Sequence, residues 1–216
     1  MKTIQLLFFL TLGNLGVATA QTNHYEAAME KAIEQLQEAQ TPEALQAAGN
    51  AFERIAQKET GEWLPHYYAA FARISQMMRM QDAPAQDKLL DAALDHVKAA
   101  KELSSKNSEL LTLEGLVHMM RIPLDPATRG PQYSGLSMSA LQQAVALAPD
   151  NPRAHLILGE MQFGTAQFFG QGSAEACASF GRAIALFEET KPESKLYPAW
   201  GLEWAKASKK EKDCSP

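Results

Sequence analysis

Ala144-Val145-Ala146-Leu147-Ala148-Pro149-Asp150-Asn151-Pro152-Arg153-Ala154-His155-Leu156-Ile157-Leu158-Gly159 is the stretch that decides the fold. It opens on an Ala/Leu run of strong helix-forming residues. Pro149 and Asp150 interrupt that run. Asn151 then stands before Pro152, a side chain suited to capping a new helix followed by a residue whose missing N–H costs nothing in the first helical turn. The stretch therefore reads as helix, tight turn, helix. Thr41-Pro42 repeats the device upstream, and Gly172-Ser173 offers Ser173 as a further cap. Between such breakers the apolar residues recur every three or four positions, the helical period, and no run alternates as a strand would. Helices are expected over about 23–39, 42–58, 63–81, 84–104, 107–122, 136–148, 152–169, 173–189 and 193–208.

Repetition turns this helix list into an architecture. The tetratricopeptide signature pairs a helix carrying W-x2-L-G-x2-Y with one carrying A-x3-F, because two helices cross closely at the small residues. On that logic the first-helix small positions are Ala28, Ala70, Gly115, Gly159 and Gly201, separated by 42, 45, 44 and 42 residues. The second-helix pairs are Ala48–Phe52, Ala93–Val97, Ser137–Leu141 and Ala176–Phe180. The steps Ala48 to Ala70, Ala93 to Gly115 and Ser137 to Gly159 are each 22 residues, and Ala176 to Gly201 is 25. A near-constant turn between repeats follows, with the extra length inside each repeat. The 144–159 junction and the closing Tyr197-x2-Trp200-Gly201-x2-Trp204 resemble tetratricopeptide repeats most closely. With its leader and its stretched repeats, the chain is similar to the small exported tetratricopeptide proteins of Gram-negative bacteria. That resemblance implies an all-α, right-handed solenoid of about four helix pairs over 21–208, closed by a capping ninth helix and followed by a charged tail at 209–216. It also implies protein–protein interaction and brings no catalytic residue, cofactor or metal.

Residues 1–20 read as a secretory signal peptide. Lys2 supplies the positive start, Ile4 to Leu12 the apolar core and Ala18-Thr19-Ala20 the small-residue cleavage site. The apolar core falls short of the roughly 20 residues a bilayer span needs. The expected destination is the periplasm or the exterior. The chain carries 20 basic and 25 acidic residues, a net charge of −5. An acidic balance gives no electrostatic reason to seek nucleic acid or anionic lipid.

A search for chemistry returns little. His24, His66, His96, His118 and His155 form neither HExxH nor an i, i+4 pair. His66, His118 and His155 fall at large-residue positions of the repeat and read as packing residues. No G-x-S-x-G is present. Gly170-Gln171-Gly172-Ser173 lacks the Lys of a phosphate loop and follows a helix, so it reads as a turn. An enzyme would need a site that no motif announces. The two cysteines, Cys177 and Cys214, are either bridged, as an exported location favours, or unrelated thiols. Antiparallel return of the last two helices brings the tail back towards Cys177.

Two features remain as binding candidates. The breaker-rich segment Pro123–Gly135 reads as a loop with Arg121, Asp125, Arg129 and Tyr133 in or beside it. The first helix of each pair should line the concave surface, placing Tyr67, Phe71, Ile74, Thr112, Leu116, Met119, Arg153, Leu156, Glu160 and Phe163 there, with Met77, Met78, Met80, Met119, Met120 and Met161 on first helices. The expected function is an adaptor whose concave face takes a protein or peptide partner. The alternative is a structural subunit of a cell-envelope assembly.

Overall fold

The computed structural model describes residues 15–214, with side chains from His24. The first fourteen positions of the expected leader lie outside the described residues. Among the described residues nine α-helices follow one another: α1 Leu15–Glu38, α2 Pro42–Lys58, α3 Trp63–Met77, α4 Ala83–Leu103, α5 Ser108–Arg121, α6 Pro126–Leu147, α7 Pro152–Phe169, α8 Ala174–Glu189 and α9 Leu202–Glu211, with a 3-10 turn at Ile122–Leu124. The same residues contain no strand.

The starts are set by local chemistry. Thr41 Oγ1 accepts from the Ala44 N–H at 3.2 Å. The Asn151 side chain accepts from the N–H groups of Arg153 and Ala154, as the 144–159 reading requires. Ser173 departs from expectation, since its side chain makes no capping bond. α3 stops at Met77, short of residue 81, and Gln86 Nε2 caps its end by donating to the carbonyls of Met77 and Met80.

Each helix packs on its neighbour in sequence. In addition α1 meets α3, α3 meets α5 and α5 meets α7, so these four helices form one continuous inner layer. This is an all-α solenoid of stacked helix pairs. The small residues mark the crossings. A Cβ built on Gly115 would lie 2.6 Å from Leu141 Cγ, and one on Gly159 would lie 2.8 Å from Phe180 Cε1. Those are the two large residues that the A-x3-F spacing pairs with them. Ser137 Oγ also donates to the Gly115 carbonyl at 2.9 Å, which ties α6 to α5 at the same crossing.

Two stretches differ from the sequence reading. The segment 123–135 is helical from Pro126 onward instead of being a loop. Asp125 caps the Thr128 N–H at 3.3 Å, Pro126 stands in the first turn, and Arg129 is clamped on Asp87 by two 2.6 Å hydrogen bonds. Pro131 lies inside α6. It removes one hydrogen bond to Ala127, whose exposure leaves that carbonyl in reach of water. At the other end α9 begins at Leu202, nine residues later than expected. Pro192 and Pro198 break the helix, and Gly201 sits at φ 120°, a left-handed value that suits only glycine.

Candidate functional site: the concave face and its C-terminal strap

Residues 190–201 leave α8 and return across the solenoid as a strap with no helix of its own. Tyr68 donates its hydroxyl to the Leu196 carbonyl at 2.9 Å, and the Trp200 indole donates to Tyr67 Oη at 2.9 Å. The Trp200 ring stacks on Phe71, centroids 4.6 Å apart. These contacts join α3 to residues about 130 positions later in the chain.

The ten residues projected onto the concave face are now placed. Tyr67, Ile74, Thr112, Leu116 and Leu156 have no exposed surface and act as packing residues instead of lining a surface, because α1, α3, α5 and α7 meet one another. The Thr112 hydroxyl turns back to the Ser108 carbonyl at 2.8 Å. Met119 is half-buried against the core. The remaining four are polar or aromatic groups met by the chain's own C-terminal segment. Phe71 meets Trp200. Arg153 lies 5.9 Å from the Tyr197 ring centre. Glu160 accepts from Trp204 Nε1 at 3.0 Å, from the Ser208 hydroxyl and from Lys212. Lys212 Nζ lies 5.1 Å from the centre of the Phe163 ring. Half of the projected lining is thus core, and the four polar or aromatic residues are met by the protein's own C-terminal segment.

Under the strap lies a buried ion pair. Arg153 Nε and Nη2 donate to the two Glu109 oxygens, each at 2.8 Å. Burial opposes the guanidinium charge, but these hydrogen bonds and the Glu109 charge outweigh it and hold Arg153 above the usual arginine range. Burial, then the Glu109 charge, pushes the Tyr67 phenol well above its ordinary value. Tyr67 therefore stays neutral and donates to Glu109 at 3.3 Å while accepting from Trp200. Cys177 and Cys214 are bridged, with Cα atoms 5.2 Å apart, within the range disulfides adopt. The bridge fastens the segment just past α9 to the start of α8.

Beside the strap an open groove of about 320 Å³ remains between the end of α1, α3 and residues 195–200. Ile33, Leu36, Tyr68, Phe71, Met78, Tyr197 and Trp200 supply its apolar wall. Arg79 and Lys195 are the charged groups of its lining, which holds no carboxylate among the described residues. Arg79 Nη1 donates to the Gln40 carbonyl at 2.5 Å. Lys195 is exposed and only loosely paired with Glu30 at 3.8 Å. Sequence reading found Phe71 but missed Arg79, Lys195 and Trp200 as neighbours, because only the strap's return brings them together.

No protein-family model and no curated protein sequence matches the chain. Among solved structures, the HusA haemophore from Porphyromonas gingivalis is similar with a TM-score of 0.78 at 23% identity, over 87% of this chain and 92% of that one. A thermophilic tetratricopeptide protein from Thermus thermophilus is similar with a TM-score of 0.53 at 20% identity, over 80% of this chain and 88% of that one. At these identities the likeness is one of fold: a helical-repeat scaffold. Among the described residues, no helix is long and apolar enough to cross a membrane.

Proposed function

We propose that the protein is an exported binding scaffold that holds an acidic, largely apolar ligand in the groove between α1, α3 and the strap. The observation that carries this reading is the groove's lining. Aromatic and aliphatic walls meet two cations and no carboxylate, in a chain of net charge −5. Such a lining favours a flat apolar body with carboxylates at its edge, and the volume is at the lower end of small-ligand sites, roughly 300–1,000 Å³. A tetrapyrrole has that chemistry, and the likeness to a haemophore makes haem the first ligand to test. A second reading is a peptide whose apolar side chains enter the groove with an acidic group on Arg79 or Lys195. The resemblance to tetratricopeptide proteins favours it, as does the strap, which already lies on the inner face as an extended segment. Titrating the untagged protein with haemin, followed by its absorption spectrum, tests the first reading. Saturable binding is expected, weakened at least tenfold by the pair Arg79→Glu/Lys195→Glu with the helical circular dichroism spectrum retained. No saturable binding, or binding indifferent to these substitutions, would refute it. Selective binding of apolar acidic peptides by the same groove would then establish the second reading.

A further inference from the structure

On the flank of the solenoid, away from the groove, three helices bring together residues that sequence spacing kept apart. His66 on α3 and His96 on α4 face each other with their Nδ1 atoms 3.2 Å apart. Behind His96, its Nε2 meets Glu53 Oε1 of α2 at 3.2 Å. Glu53 is itself held by Arg73 at 2.6 Å. Both rings are half-buried, and the His96 side chain retains 21% exposure, so the space between them is reachable from solvent.

We propose that His66 and His96 form a two-imidazole chelate for a divalent transition metal ion, zinc or copper. Two imidazole nitrogens on one tetrahedral zinc, each at 2.0–2.1 Å, stand about 3.3 Å apart, and the separation here already matches that bite. The carboxylate does what a carboxylate behind a metal-bound histidine does. It takes the Nε2–H of His96, so that the lone pair of Nδ1 points outward to the shared position. In the metal-free protein His66 must then donate its Nδ1–H to His96. Moving that proton to Nε2 of His66 frees the second lone pair without removing a proton from the site. Imidazole suits zinc and copper rather than magnesium or calcium. Among the described residues no group of three or more His, Cys, Asp or Glu is placed to hold a metal, so water completes the coordination sphere and the site is open.

Calorimetric titration of the untagged full chain with zinc chloride in a non-chelating buffer tests this. One ion per chain is expected. His66→Gln and His96→Gln should each weaken binding at least tenfold, and Glu53→Gln roughly ten- to a hundredfold. His155→Gln should leave it unchanged. Copper should bind more tightly than zinc. As a measurement free of folding artefacts, copper added to the unsubstituted protein should broaden NMR signals first around residues 66 and 96. No saturable uptake at millimolar zinc, affinity unaffected by His66→Gln, or broadening centred elsewhere would overturn the proposal.

Discussion

Arg153→Met leaves the Glu109 carboxylate 2% exposed and without the partner that donates two of its hydrogen bonds. The side chain that replaces Arg153 fills much of the same space, so the dominant effect is electrostatic. Removing one member of a buried ion pair costs about 3–5 kcal/mol. For a chain of this length each kcal/mol lowers the melting point by roughly 2–4 °C, so a fall of about 6–20 °C is expected. The same network fixes the strap through Tyr67 and Trp200, so the tryptophan emission should shift before the main transition. Adding Glu109→Gln to Arg153→Met removes the orphaned charge while keeping an acceptor for Tyr67, and should recover more than half of the loss. Urea unfolding followed by circular dichroism, across both single variants and the double, measures the coupling. A loss below about 1 kcal/mol for Arg153→Met, or effects of the two substitutions that simply add, would refute the view that this pair holds the inner face together.

Gly159→Ala should cost about 1–3 kcal/mol in urea unfolding, because its Cβ would press on a fully buried Phe180. Cys214→Ser should lower stability by roughly 3–4 kcal/mol in the chain-entropy account, and thiol titration of denatured, unreduced envelope material should find no free thiol. Stability should also fall as pH drops below about 6.5, the ordinary histidine value. His66, beside His96, which meets Glu53 on its far side, and His118, beside Glu114, Arg121 and Lys101, both have lowered folded-state pKa values, with burial the largest cause. The unfolded chain thus takes up protons there before the folded one does. A melting point that stays flat from pH 7.5 to 5.5, or that His66→Gln/His118→Gln leaves equally steep, would count against this. Intact-mass analysis of exported protein should give a chain beginning at Gln21, and a mass retaining Met1–Ala20 would show that no cleavage occurs.

What the sequence determined by itself was local or repeated at short range. Thr41-Pro42 and Asn151-Pro152 start helices because the cap, the proline and the first N–H groups lie within four residues of one another. Gly115 against Leu141 and Gly159 against Phe180 were legible because a repeated crossing demands a small residue at a fixed step from a large one. The bridge between Cys177 and Cys214 was within reach for the same reason: α8 and the tail are neighbours in sequence. Segment 126–135 was misread because breakers count against a helix locally, whereas the Asp87–Arg129 clamp that holds it comes from α4. The strap was invisible altogether. Tyr68 to Leu196, Tyr67 to Trp200 and His66 to His96 span 128, 133 and 30 residues, none of them the repeat step, whereas Glu109 and Arg153 stand one repeat apart, 44 residues, without the spacing revealing that they pair. Those contacts exist because an inner layer of helices leaves an apolar trough with buried polar groups that must find partners. Only the folded chain decides that its own C-terminal segment supplies the partners of Tyr67 and Tyr68, and where the groove beside it falls.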